Sequence, residues 1–243
     1  GMTSLFEALQ LFRNLDEKKG EARTLNIIGM CYFCLAKFHD SMDYFQACLK
    51  LSREIGYQLF EVRSLNNIGE IYRELGKSDE ALIYYNSSLS IVEKTDEKLT
   101  YGVLLMNIGH LHYSIGHLKE ASKSYKKSIR IFRETHEYRF EAEGLIKLGE
   151  IYLDYGRSAS ALKYLQRSLG ICLQQEDKYL EVSALHSLSK VNEKLQNYNE
   201  ALQNLQSALM IAREIHANKI LADIHLSLAN LNEKIEDYKA TVT

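Results

Sequence analysis

A small residue returns at intervals of forty along this 243-residue chain: Gly29, Gly69, Gly109, Gly149, Ser189 and Ala229. Each stands in a matching frame, clearest in Leu65-Asn66-Asn67-Ile68-Gly69-Glu70-Ile71-Tyr72 and its copy Leu145-Ile146-Lys147-Leu148-Gly149-Glu150-Ile151-Tyr152. A fixed period of this size constrains the fold more than any other feature. It requires like supersecondary units that bury their apolar faces only by stacking on one another.

Each forty holds two apolar-periodic segments. The first, A, runs near 59–75 with Val62, Leu65, Ile68, Ile71, Tyr72 and Leu75. The second, B, runs near 79–94 with Ala81, Leu82, Tyr85, Leu89 and Val92. Both keep the i, i+3, i+4, i+7 spacing of an amphipathic helix. Gly76, Gly116 and Gly156 fall between them, where a helix C-terminus takes a left-handed residue. Asp79, Glu80, Glu120 and Glu200 sit in the first turn of B, where carboxylates complement the helix dipole. Proline is absent, which leaves the helices uninterrupted. The glycine inside each A segment costs about 1 kcal/mol relative to alanine. Small residues of B in the same phase (Ser41, Ala81, Ala121, Ala161, Ala201) predict the compensation, small against small, so that the paired helices approach closely.

These residues resemble the tetratricopeptide repeat family, whose pattern is a large apolar residue, Leu-Gly, a tyrosine three further on, then small-aromatic-small in the second helix. Here it reads Leu65, Ile68-Gly69, Tyr72, Ala81, Tyr85 and Ser88, and again Leu145, Leu148-Gly149, Tyr152, Ala161, Leu165 and Ser168. The period is forty rather than about thirty-four, as in bacterial regulatory repeats and the spindle-orientation adaptors of the Pins/LGN type. The family's closing proline is missing, and His112, Asn192 and Asn232 stand in the tyrosine position. The resemblance implies an all-α fold: an α-solenoid, a right-handed superhelix of stacked antiparallel helix pairs with about twelve helices.

The chain reads as a single superhelical domain over 1–243. An orphan B helix at 3–15 precedes repeats near 19–55, 59–95, 99–135, 139–175 and 179–215. An incomplete last repeat occupies 219–243, with Asp237-Tyr238-Lys239-Ala240 opening a further B helix. Unfinished repeats at both ends lead to the expectation of a piece of a longer protein, since solenoids close with polar caps.

Lys plus Arg (30) nearly balances Asp plus Glu (32), for a net charge of −2, so no overall pull toward nucleic acid or an anionic membrane is expected. No apolar run approaches the roughly eighteen residues of a membrane span. Of the four cysteines, Cys31 and Cys34 read as C-x-x-C without a second pair or histidines to complete a metal site. Cys48 fills a slot held elsewhere by Ser88, Ser128, Ser168 and Ala208, a small-residue packing position. All four are expected to be structural, in a reducing, cytoplasmic compartment.

Other motif-like strings carry no chemistry. Gly76-Lys77-Ser78 resembles the end of a phosphate-binding loop, but Ile71 stands where its first glycine belongs and no strand precedes it. His110 and His112 lie two apart on a helix and face different ways, and His112, replacing the tyrosine, reads as a core or partly buried residue. Glu70 and Glu150 recur with the repeat, as groove-lining residues rather than an acid–base pair. The expectation is a non-catalytic chain with no cofactor and no metal.

The resemblance implies a binding groove lined by the A helices, at the positions six before, three before, one after and four after the central small residue. Those spacings share one stripe of a helix. From this stripe the partner-binding candidates are Arg23, Asn26, Arg63, Asn66, Arg73, Met106, His110, Tyr113 and Glu150, with Asn67 and Asn107 one residue along. Arginines beside amides suit carboxylates and backbone carbonyls, and Met106, His110 and Tyr113 suit an apolar anchor. The expected partner is a protein or peptide with an acidic segment and an apolar anchor. The expected function is the sensory or docking module of a longer bacterial signalling protein with a cyclase, kinase or transcription-regulating output. The alternatives are a self-assembling scaffold, dimerising through its terminal helices, and a trans-acting regulator of a response regulator.

Overall fold

The computed structural model describes residues 1–242, with side chains through Glu236. Among these residues there are twelve α-helices and no strand. The A segments are α2 (Lys18–Cys34), α4 (Gln58–Glu74), α6 (Lys98–Ser114), α8 (Tyr138–Asp154), α10 (Lys178–Lys194) and α12 (Asn218–Val242). The B segments are α1 (Met2–Asn14), α3 (Phe38–Glu54), α5 (Ser78–Val92), α7 (Leu118–Glu134), α9 (Ser158–Gln174) and α11 (Tyr198–Glu214). The all-α helical-repeat solenoid that the period requires is therefore what forms. The chain divides into two compact units, Gly1–Ala121 and Ser122–Thr243. Within each, an A helix packs on its own B helix and on the A helix of the next repeat, as in α4 on α5 and α2, and α10 on α11 and α8.

The turns explain the spacing. A residue with positive φ recurs every twenty positions, at Asp16, Ala36, Gly56, Gly76, Gly116, His136, Gly156, Glu176, Gln196 and His216. The next amide reaches back five residues, as Lys37 N to Tyr32 O at 3.0 Å and Lys77 N to Tyr72 O at 2.9 Å, which closes each helix and reverses the chain. Gly76, Gly116 and Gly156 hold the left-handed positions their composition predicts. Gly56 does the same, and Asp16, Ala36, His136, Glu176, Gln196 and His216 accept the geometry with a side chain at a cost of about 1–2 kcal/mol each. The series skips position 96, where α5 stops two residues short of the other complete B helices and Thr95 Oγ1 bonds the Val92 carbonyl at 2.9 Å.

Three registers tie the helices together. Eight residues apart, the end of a B helix pairs with the start of the next A: Arg13–Glu21 at 2.9 Å, Arg53–Glu61 at 2.8 Å and Arg133–Glu141 at 3.0 Å. Twenty-six apart, the small residue of B donates to an A-helix carbonyl: Cys48 to Ala22 at 3.1 Å, Ser88 to Val62 at 2.8 Å, Ser168 to Ala142 at 2.8 Å. Forty-one apart, successive A helices meet, as Asn67 with Asn26 and Ser227 with His186. Cys48 and Cys172 are buried packing residues, and burial pushes the Cys172 thiol up to about 11. Cys34 is exposed, so the packing role expected of all four cysteines holds for these two and not for Cys34, which ends α2 on its open side.

The repeated glycine has a different partner from the one expected. A Cβ at Gly69 would stand 2.6 Å from Tyr85 Cε1, one at Gly29 2.7 Å from Phe45 Cδ1, and one at Gly149 2.6 Å from Leu165 Cγ. The small B residue does approach, since Ser41 Oγ reaches the Gly29 carbonyl at 2.8 Å. The clash, however, is with the large residue four positions further along B, one helical turn on. Large-on-glycine, not small-on-small, sets this contact. Gly170 has no such neighbour: nothing lies within 4 Å of its added Cβ. Gly170→Ala should therefore gain about 0.5–1 kcal/mol from helix propensity alone. A rise in the chemical-denaturation midpoint checks this, and a fall would contradict it.

Exposed apolar side chains Leu11 and Leu15 mark α1 as a helix covered on one side only. At residues 237–240, the predicted start of a further B helix, the backbone instead continues α12 through Val242, and the side chains there lie outside the described residues.

Candidate functional site

The A helices of the first unit bring most of the predicted groove residues onto one face. Arg23, Asn26 and Met30 follow one stripe of α2, and Arg63, Asn66, Glu70 and Arg73 the same stripe of α4. Asn107 Nδ2 donates to Asn66 Oδ1 at 2.9 Å, Asn66 Nδ2 to Asn67 Oδ1 at 3.3 Å, and Asn67 Nδ2 to Asn26 Oδ1 at 3.0 Å. Four side-chain amides thus run head to tail across α6, α4 and α2. Asn26 closes the ladder at 5 % exposure, while Asn66, Asn67 and Asn107 are half-buried and open on one side. An asparagine amide has two N–H donors and a carbonyl with two lone pairs. The ladder uses one donor on each of three amides, so capacity remains for a further backbone laid across the face.

Arg23 and Arg63 flank this ladder. Both are exposed, neither forms an ion pair among the described residues, and the Arg63 guanidinium lies 5.1 Å over the Phe60 ring. Arg73 is different. Its guanidinium meets Glu70 at 2.9 Å and Glu74 at 2.6 Å, and the Tyr85 hydroxyl donates to the other Glu70 oxygen. Burial and the Glu70 carboxylate push the Tyr85 phenol up, so it stays a donor. Arg73 completes the support beneath Tyr85, with its Nη2 already shared between Glu70 and Glu74.

The predicted anchor also moves. Met106 is 3 % exposed and belongs to the core, because neighbouring helices cover this position in α6, whereas the equivalent Asn66 of α4 is only half-buried. His110 and Tyr113 are half-buried and already engaged by neighbours. The apolar surface on this face is instead on α2, where Ile27 and Met30 are 46 % and 49 % exposed beside Arg23.

In the second unit the same stripe lines a depression of about 610 Å³ between α8, α10 and α12. Glu150 lies in it with both oxygens occupied, one by Lys147 Nζ at 3.0 Å and one by Ser187 Oγ at 3.2 Å. His186 meets Ser227 Oγ at 2.9 Å. Burial, then the Lys190 ammonium, push the His186 pKa down to about 4, so its ring is neutral at pH 7. Burial raises the Glu143 carboxyl in the same depression. Glu150 was the expected member of this half. His186 falls on the predicted stripe, three before Ser189, whereas Ser187 and Ser227 do not, although the forty-one-residue pairing that joins His186 to Ser227 repeats the Asn26–Asn67 offset.

His186 makes stability pH-dependent. Its folded pKa lies below its ordinary 6.5, so its contribution is intact above 6.5 and is lost as pH falls toward about 4. His186→Gln should flatten the decline in stability across that window. An unchanged slope in denaturation at several pH values would contradict the assignment.

Among the described residues no three metal-type ligands converge, and no helix is long and apolar enough to cross a membrane. No protein of curated function matches the sequence. Solved structures share the fold. The chain resembles the apo quorum sensor NprR from B. thuringiensis with a TM-score of 0.77 at 22% identity, covering 98% of this chain and 68% of that one. A signal-transduction ATPase with a tetratricopeptide repeat sensor from Pyrococcus horikoshii aligns with a TM-score of 0.76 at 20% identity, over 89% of this chain and 33% of that one. A Rap protein complexed with competence and sporulation factor aligns with a TM-score of 0.65 at 18% identity, over 97% and 72%. At these identities the likeness concerns the fold. The sequence itself goes further, since the family model for the tetratricopeptide repeat matches residues 20–94, 60–134, 100–174 and 138–214 in overlapping registers. Those registers step along the same forty-residue frame that sets the glycine contacts and the turns, and the chain belongs to the tetratricopeptide repeat family.

Proposed function

We propose that this chain is a non-catalytic recognition module that captures an extended, acidic peptide or protein segment along the A-helix face of its first unit. The amide ladder Asn107–Asn66–Asn67–Asn26 carries this reading. Packed helices stand about 8–10 Å apart, and an extended chain rises about 3.3 Å per residue. A strand laid across the face therefore advances about three residues per A helix and meets a new amide at each step. Arg23 and Arg63, exposed and free of ion pairs among the described residues, receive carboxylates. Ile27 and Met30 receive an apolar side chain.

The company of similar folds supports a sensory role: one is a quorum sensor, one a repeat sensor in a signal-transduction ATPase, one a protein complexed with a competence and sporulation factor. We infer that the module works inside the cell as the docking or sensing part of a longer signalling protein with a cyclase, kinase or transcription-regulating output. Selection from a displayed library of random peptides about ten residues long tests the binding reading. Enrichment of acidic sequences with one aliphatic residue is expected. Enrichment of basic sequences, or none, would overturn it.

A further inference from the structure

The chain is close to neutral, yet its charge is segregated on the B-helix face of the second unit. From Ser122 onward α7 carries Lys123, Lys126, Lys127, Arg130 and Arg133 against one acid, Glu134. The next B helix, α9, carries Lys163 and Arg167 and no acid. By contrast α11, the B helix after it, has Glu200, Arg213 and Glu214.

Much of this charge is uncompensated. Arg130 pairs with Glu134 at 2.9 Å. Arg133 and Arg167 share one oxygen of the buried Glu141, each at 3.0 Å, leaving two guanidinium groups on a single carboxylate. Lys126 Nζ donates to the Tyr152 hydroxyl at 3.0 Å and lowers that phenol's pKa. Lys123, Lys127 and Lys163 have no ion pair among the described residues.

Shape adds a second, independent observation. A cavity of about 510 Å³ opens between α7 and α9 over α8. Its floor is Ile129, Leu145 and Leu148, all buried, and its exposed rim includes Lys126, Arg130 and Lys163. A sugar–phosphate backbone has no aliphatic group to seat on such a floor, and a lipid headgroup plane does not enter a cavity. A protein segment with an aliphatic side chain between carboxylates satisfies floor and rim together.

We propose that the α7/α9 face of the second unit is a docking surface for an acidic segment of a partner protein, with an aliphatic side chain in the cavity and carboxylates on the rim. This surface lies on B helices of one unit, whereas the amide ladder lies on A helices of the other, so the two sites are separable by mutation.

The test uses a fluorescein-labelled peptide, Glu-Asp-Glu-Leu-Glu-Asp-Glu, and its Leu-to-Ser counterpart, in fluorescence anisotropy. It is run on the wild-type chain and on the Arg23→Glu/Arg63→Glu variant, which removes any contribution from the ladder face. Lys126→Glu/Lys163→Glu alters exposed rim side chains, with the Lys126–Tyr152 contact the one bond lost among the described residues, and an unchanged far-ultraviolet spectrum and a cooperative melting curve verify its fold. In the Arg23→Glu/Arg63→Glu background, adding that change should weaken binding of the leucine peptide at least about tenfold. The serine peptide should also bind about tenfold more weakly, and raising salt from about 50 to about 200 mM should weaken both. Equal affinity for the charge-reversed chain, equal affinity for the serine peptide, or tighter binding of a single-stranded oligonucleotide of the same charge would each overturn the proposal.

Discussion

Replacing Gly69 by leucine should destabilise the first unit by about 1–3 kcal/mol or more. The added Cβ alone would stand 2.6 Å from Tyr85 Cε1 and 2.7 Å from Cδ1. The ring has nowhere to go. It is fully buried, and its hydroxyl is tied to Glu70, whose other oxygen is held by Arg73. Alanine at the same site should also destabilise, because the clash outweighs the gain of about 1 kcal/mol in helix propensity. At Gly149 the opposing group is Leu165, an aliphatic chain that is more flexible than the tethered Tyr85 ring. Gly149→Ala should therefore cost less than Gly69→Ala. Thermal unfolding checks the pair, at about 2–4 °C per kcal/mol for a chain of this size. An unchanged melting temperature for Gly69→Leu would remove the large-on-glycine contact from the account.

Charge reversal at Arg23 and Arg63 together should weaken binding of a library-selected acidic peptide by about 10–100-fold. Both side chains are exposed and free of ion pairs among the described residues, so reversal turns attraction into repulsion, and the lost stacking of Arg63 on Phe60 is read separately in a melting curve. Arg73→Ala is the discriminating control. Its Nη2 is shared between Glu70 and Glu74, so its loss should lower stability while leaving peptide affinity within about twofold. A binding loss at Arg73 matching that at Arg23 and Arg63 would mean that the ligand displaces the Glu70 pair.

The period of forty made the helix count and the phase of each helix legible, because both depend on local spacing. Glycines at 76, 116 and 156 announced their turns. Ala36, His136 and Glu176 hold the same left-handed geometry without announcing it, since the register of the stack imposes it. The stripe arithmetic placed Arg23, Arg63 and Asn66 on one face. It could not separate surface from core along that stripe, because burial depends on neighbouring helices, and Met106 was therefore misplaced as an anchor. The support around Arg73 was hidden for a related reason: its partner Glu70 is local, but the tyrosine that fixes Glu70 comes from another helix.

The amide ladder was half legible. Its members were all named, but the link between them needs the offset of forty-one by which successive A helices meet. That offset is visible in the recurrence of asparagine at 26, 67 and again at 66, 107 once it is sought. The basic face of α7 and α9 was hidden by the near-zero net charge, which averages it against acids elsewhere.

The central claim is that the asparagine ladder grips the backbone of a bound segment. The side-chain amide resonances of Asn66, Asn67 and Asn107, followed by NMR during titration with a library-selected peptide, test it most directly. Saturable shifts of these three amides, with slower exchange of their free N–H protons, are the predicted result. Saturable binding that leaves all three unmoved would contradict it and place the site on another face of the stack.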